Sequence, residues 1–345
     1  MPLAYGQLMM GTEWMDGGKA ENVSTRVPTS SRLRAALRRA ATMNDVIRKR
    51  SMAGSKARFI KKDREAVAST VGTIMALLVF LAFLSLFTNS YMPVWMEDNE
   101  REHMNEVMNQ FGEMKSRVDS LVLNSELAGG TMNSVYVPLA LGSSGIPVFA
   151  SPTAGQLAYV PQTSGESDMS LAFNSTIGDG IVEEGGGMLE FYAPNRYYVQ
   201  QWVTYENGAL IIKQEDGQVV RAYPNLNIQK TGDMYSISFT QVDLTGVSNT
   251  RGGTGSMGVN IEMIHMESQE YIISDGIIMM DMHTLNRDAW MGYFIETFED
   301  HGLVEGTHYE QLWEDPADEN HLVVKLMNVS TMDYARAVVS MSLEM

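Results

Sequence analysis

Cysteine is absent from the 345 residues, so the chain can build no disulfide framework, zinc–thiolate site or thiol nucleophile. A domain outside the cytoplasm must then rest on its own apolar core. With 44% apolar residues, a unit of about 200 residues can supply one. Basic residues are scarce over most of the chain: residues 1–65 hold 14 Lys and Arg against 6 Asp and Glu, and the other 280 hold only 11. The net charge of −17 therefore divides into +8 and −25. Such an acidic main domain excludes nucleic acid as its partner, because phosphate contact needs clustered cations. Catalytic signatures are missing as well. The six histidines form no H-E-x-x-H pair, and neither a G-x-S-x-G elbow nor a phosphate-binding glycine loop occurs. We therefore expect no catalytic residues, no cofactor and no enzymatic role. Internal repeats at solenoid or propeller periods are also lacking.

What is present is one long apolar run. Residues 66–90 carry no ionisable side chain, and the stretch VGTIMALLVFLAFLSLF within them is almost continuously apolar. About 22 residues at ~1.5 Å each give ~33 Å, enough for the ~30 Å hydrocarbon layer of a bilayer. A soluble protein would have to bury a helix of this length and uniformity on every side, since it has no polar face, which is rarely met outside membranes. The basic cluster Arg48, Lys49, Arg50, Lys56, Arg58, Lys61, Lys62 and Arg64 precedes the run. Cations beside a span stay cytoplasmic, so the N-terminus is expected inside and the acidic remainder outside. Tyr91 and Trp95 stand where interfacial aromatics belong, and Pro93 marks a kink or a break.

Before the span, residues 1–30 lack periodicity and read as disordered. Residues 31–50 interleave Leu33, Leu37, Ala40 and Ala41 with arginines at near-helical spacing, which fits either a basic amphipathic helix on an anionic leaflet or a solvated tail. After it, Met104, Val107, Phe111, Met114, Val118 and Leu121 recur at spacings of 3, 4, 3, 4 and 3. That seam suits a coiled coil between copies or packing against the rest of the chain, and its short length favours packing.

Beyond Gly129 and Gly130 the texture becomes short runs rich in Val, Ile, Tyr and Phe, divided by Gly, Pro and Asn, which predicts a β domain. Strands are expected at 134–141, 156–160, 169–173, 188–192, 197–205, 209–214, 218–221, 234–244, 258–266 and 276–283, and later at 308–313, 321–328 and 335–343. Asn207-Gly208 is the clearest hairpin turn, with Asp216-Gly217 a second. Between the strands, Asn286 as N-cap, an apolar face of Trp290, Tyr293, Phe294 and Phe298, and Gly302 as the stop predict one amphipathic helix. The expected fold is thus membrane-anchored and mainly β. A cytoplasmic tail or leader (31–65), a single transmembrane helix (66–92) and a helical stalk (93–128) precede a β-sandwich-like ectodomain (129–345) with one helix packed on it.

The run from Ala66 to Met75, AVASTVGTIM, resembles the start of archaeal type IV pilins, which read A-V-S-P-V-I-G-T-I-L after a charged leader. Ser69 stands where that family has proline, and the leader here exceeds 60 residues. The ectodomain is similar to uncharacterised archaeal pilin-like surface proteins in its Gly185-Gly186-Gly187 run, its Glu206-Asn207-Gly208 turn, its Gln214 to Pro224 segment and its Trp290 to Gly302 helix. The resemblance implies cleavage by a prepilin peptidase at the leader border, here Lys61, Lys62, Asp63, Arg64, Glu65 and Ala66. It also implies that the freed helix packs with other pilin-like subunits or stays in the lipid bilayer.

Candidate sites outside this frame are few. Asp281 and His283 lie two apart on one strand, where they share a face and could ligate a metal, but no third ligand is visible and solvated polar residues explain the pair. The acidic run from Glu314 to Asn320 offers oxygens to calcium without the spacing of an EF-hand, and reads as a hydrated loop. Methionine clusters such as Met279, Met280 and Met282 read as core filling. Of three N-x-S/T sequons, Asn22 falls on the cytoplasmic side, leaving Asn174 and Asn328 as candidate glycosylation sites. The leading functional expectation is a structural or adhesive cell-surface protein. The alternative is a membrane-anchored receptor or assembly factor whose β-rich ectodomain binds a ligand or partner.

Overall fold

The computed structural model describes residues 38–39, 41–46, 67–128, 134–312 and 318–344. They fall into two compact units, one ending at Leu81 and one beginning at Ala82. In the first unit, residues 38–39, 41–46 and 67–81 are helical and exposed. Helicity is unbroken over Val67–Glu126. We call residues 67–86 α1 and Met92–Ala128 α2; between them Phe87–Tyr91 form a π turn in which the Met92 N–H reaches the Phe87 carbonyl. Pro93 therefore does not break the helix. Proline withholds the N–H that a carbonyl four residues earlier needs, and a wider turn just before it is one way to absorb the mismatch. Nearby, Thr88 Oγ1 donates to the Leu84 carbonyl and Asn89 Nδ2 to that of Ser85.

The rest is mainly β, with fourteen strands in one connected pairing network. They are β1 (Ser134–Ala140), β2 (Gly155–Pro161), β3 (Asp168–Ser175), β4 (Gly178–Ala193), β5 (Gln201–Glu206), β6 (Ala209–Gln214), β7 (Gly217–Ala222), β8 (Leu226–Thr231), β9 (Met234–Thr245), β10 (Asn249–Gly253), β11 (Ser256–His283), β12 (Tyr309–Leu312), β13 (His321–Leu326) and β14 (Val329–Glu344). The helix α3 (Arg287–Asp300) lies between β11 and β12. The main path runs β7-β6-β5-β4-β3-β11-β14-β9-β8, with β1 and β13 also on β11, β2 on β4, β10 on β2 and β12 on β13. Every pairing is antiparallel except β14 with β9.

One strand organises the network. β11 is 28 residues long, where the sequence predicts two strands divided at 267–275. Its first half pairs with β1 and β14, and its second half with β3 and β13. The polar stretch from Glu267 to Glu270 reads as a loop only because its side chains are solvated; its backbone stays in register opposite Arg336 to Asp333 of β14. Similarly, the glycines at 185–187 do not start a strand but lie inside the 16-residue β4. An added Cβ at Gly185 would meet the Gln241 side chain at 2.8 Å, and at Gly186 the Ser167 carbonyl at 2.6 Å. Close approach of neighbours, rather than a turn, requires these glycines.

The turn at Asn207-Gly208 has φ of 48° and 78°, as a type I′ hairpin requires. In the next hairpin Gln214 pairs with Gly217, so Glu215-Asp216 form the turn, one residue earlier than the Asp-Gly signal suggests. Buried side chains collect in two clusters. One surrounds α3 and includes Trp290, Tyr293, Phe294 and Phe298, while Gly302, at φ 74°, follows the helix. The other gathers Met104, Val107, Phe111, Met114, Val118 and Leu121 of α2 with residues of β1, β2, β4, β5 and β11. These six are at most 5% exposed. At about 1.5–3 kcal/mol per buried large apolar side chain, the seam contributes on the order of 10 kcal/mol to docking α2 on its own chain.

Candidate functional site

Two of the buried carboxylates, Glu100 and Glu206, each collect hydrogen-bond donors from distant segments. Glu100, fully buried on α2, accepts hydrogen bonds from Thr153 Oγ1 (2.6 Å) and from the backbone N–H groups of Arg196, Tyr197 and Tyr198 (3.1, 2.8 and 2.8 Å). Burial alone would raise its pKa. The four donors outweigh that effect and hold it below the ordinary 4.5. One turn on, His103 Nε2 lies 3.0 Å from the Ala140 carbonyl, and burial lowers its pKa below the ordinary 6.5. Neutral His103 and ionised Glu100 thus tie α2 to the loop before β5 and the end of β1.

Glu206 is the second. It is 1% exposed and accepts from Ser167 Oγ (2.6 Å), Thr284 Oγ1 (2.9 Å), Asn286 Nδ2 (3.1 Å) and Trp290 Nε1 (3.0 Å). Asn286 precedes α3 without a side-chain capping bond; its Nδ2 donates to Glu206, and its Oδ1 is buried without a partner. The Glu206 turn and the Trp290 helix, separate motifs in the sequence, therefore meet at one buried carboxylate, and the glycine run reaches it only through Ser167, whose carbonyl accepts from the Gly187 N–H at 2.8 Å. Nothing in their spacing signals this; a glutamate in an E-N-G turn reads as solvent-exposed.

Directly beyond this hub lies a cluster of titratable groups. Ser167 and Thr284 face Glu206, and their chain neighbours Asp168 and His283 carry the cluster. His283 pairs across the sheet with Asp168 of β3 on one side and His321 of β13 on the other, so the three stand in a row on one face. Asp281 lies two residues back on the same face. His321 Nε2 is 2.9 Å from Asp281 Oδ1, His283 Nδ1 is 3.3 Å from Asp168 Oδ1, and the two imidazoles stack at 4.5 Å with planes 9° apart. Asp318 Oδ2 is 4.0 Å from His283 Nε2. One ligand atom each from Asp281, His283 and His321 can be chosen within 4.8 Å of one another. A cavity of about 290 Å³ opens beside them, lined by Asp168, Glu184, Asp281 and His283 among others. The third candidate ligand, which the sequence does not reveal, is His321, forty residues from Asp281 and brought opposite His283 by the β11–β13 register.

A third feature is apolar. Phe87 of the π turn stacks with Tyr91 (6.3 Å between ring centroids), meets Trp95 edge-on (5.8 Å) and touches Phe149 (5.0 Å). Phe149 belongs to a small turn closed by pairing of Ile146 with Ala150, where Val148 is fully exposed at φ 72°. A β-branched residue at positive φ is unusual, and at this turn it presents its side chain outward beside the aromatic group.

The other predicted sites lie as follows. Lys61, Lys62, Asp63, Arg64, Glu65 and Ala66 are outside the described residues, as are Asn22 and Glu314 to Ala317. Asn174 is half-buried, its amide donating to Asp275 Oδ2 (2.9 Å) and its carbonyl accepting from the Gly180 N–H (2.7 Å). Asn328 is exposed at φ 63° in the turn between β13 and β14. Met280 and Met282 are core residues. No family model, curated protein or solved structure matches the chain.

Proposed function

We propose that the chain is a single-pass, pilin-like cell-surface protein with a structural or adhesive role and no catalysis. The observation that carries this reading is the contrast along one helix. Residues 67–81 are apolar and exposed throughout, with no part of the most apolar window buried, whereas the seam of α2 is sealed against the β domain. Water disfavours the first arrangement and a bilayer or a helical filament core favours it. The aromatic group of Phe87, Tyr91 and Trp95, joined by Phe149, has the composition of a membrane-interface belt. In this reading the basic N-terminal segment is cytoplasmic, the β domain is extracytoplasmic and of sandwich type, and a prepilin peptidase cuts between Lys62 and Ala66. The Asp281–His283–His321 cluster with its cavity favours a second reading, a receptor or assembly factor whose head binds a ligand.

Mass spectrometry of the mature N-terminus, in membrane and sheared extracellular fractions, separates the two. A start near Ala66 in sheared material is expected, and full-length protein confined to the membrane would contradict the filament role. The anchor itself has a separate test. An arginine at the centre of a span opposes insertion by ~2.5–3.5 kcal/mol, so Leu78→Arg is expected to shift most of the protein from the carbonate-resistant membrane pellet to the supernatant.

A further inference from the structure

We propose that Asp281, His283 and His321 form a binding site for a divalent first-row transition-metal ion of the zinc class. The donor set is two imidazoles and one carboxylate, a recurrent three-residue set for zinc with a fourth position left open. All three residues lie on strands, and the cross-strand pairing of His283 with His321 fixes their spacing. Around a four-coordinate ion with bonds of ~2.0–2.2 Å, neighbouring ligand atoms lie about 3.3–3.6 Å apart. The observed spread of up to 4.8 Å therefore closes with side-chain shifts of about 1–1.5 Å. The His321 Nε2 to Asp281 Oδ1 separation of 2.9 Å is a hydrogen bond that an ion would replace after a slight opening.

Both ring nitrogens of His283 have a carboxylate near, Asp168 at Nδ1 and Asp318 at Nε2. Whichever nitrogen coordinates, the other has a carboxylate beside it to fix the tautomer and orient the ring. With Nε2 on the metal, Asp168 orients the ring and Asp318 stands closest to the fourth position. The cluster is only half-buried, with side chains 11% exposed at His321 and 40–45% at Asp168, Asp281 and His283, so an ion can enter from solvent. Below it, the bonds from Ser167 and Thr284 to Glu206 hold the strand residues adjoining Asp168 and His283. The support is rigid, as a precise ligand geometry needs.

Co²⁺ is the probe, titrated into the detergent-solubilised full chain and read by its visible absorption, followed by displacement with Zn²⁺. One equivalent is expected, with the intense spectrum of a four-coordinate ion. His283→Asn and His321→Asn should each weaken binding at least a hundredfold, Asp168→Asn about ten- to a hundredfold with stoichiometry kept, and His265→Asn should change nothing. The unmodified protein should also unfold at a higher temperature with Zn²⁺ than with EDTA. The proposal is overturned if uptake is unaffected by His283→Asn and His321→Asn, or if the unmodified protein neither binds one equivalent nor gains stability. Either result would leave the cluster as two histidine–carboxylate pairs only. Neither outcome depends on whether the N-terminal helix is processed.

Discussion

Glu206→Ala is expected to destabilise the β domain by about 3–5 kcal/mol, the part of the cost of four orphaned buried donors that relaxation does not recover. The hydroxyls of Ser167 and Thr284, the amide of Asn286 and the indole of Trp290 all donate to this carboxylate, and the substitution strands them away from water. Each orphaned buried donor loses about 1–3 kcal/mol, partly recovered by relaxation or an entering water. Glu206→Gln keeps one acceptor oxygen and should cost about half as much. Denaturant unfolding followed by tryptophan fluorescence checks both, since Trp290 is itself a donor. A loss below about 1 kcal/mol for Glu206→Ala would mean that the network does not hold the motifs together.

Glu100→Ala should weaken the docking of α2 by a comparable amount without releasing it, because the buried seam remains, and the same contact makes docking pH-dependent. A carboxyl whose folded pKa lies below its unfolded 4.5 adds stability that is fully present above 4.5 and is lost as pH falls through the lower folded value. For His103, with a folded pKa below 6.5, the sign is the same: the neutral form is favoured by burial, so stability is present above 6.5 and declines below it. Acidification should therefore loosen α2 in two stages, the first beginning near pH 6.5 and the second below 4.5. Hydrogen exchange of the α2 amides against pH measures this. Glu100→Ala should abolish the second stage and leave the first, and an exchange profile flat from pH 7 to 3 would contradict the assignment.

Much of the architecture is legible in the residues because it is written in local periodicity. The 3–4 spacing from Met104 to Leu121 and the aromatic face of α3 each report what their own segment buries, the uncharged run at 66–90 announces a long apolar helix, and the φ values of Asn207 and Gly208 follow from their chemistry. What escapes is non-local. The unity of β11 depends on backbone pairing that its polar middle conceals, and β8 and β10 carry too few apolar residues to announce themselves. Glu206 and Glu100 look like surface glutamates until the donors from distant segments are brought to them. The metal-ligand geometry escapes for the same reason, since the strand carrying His321 is placed beside the one carrying His283 only by sheet registry, and no spacing rule along the chain contains that information.

In the proposed reading, residues 66–90 hold the β domain outside a membrane. The absence of native cysteine makes one test direct: Asp179→Cys, at an exposed position near the start of β4, introduces the only thiol in the chain. Labelling of intact cells with a membrane-impermeant maleimide should modify this cysteine in protein that sediments with membranes or sheared filaments. Labelling that appears only after lysis would place the β domain inside and contradict the account.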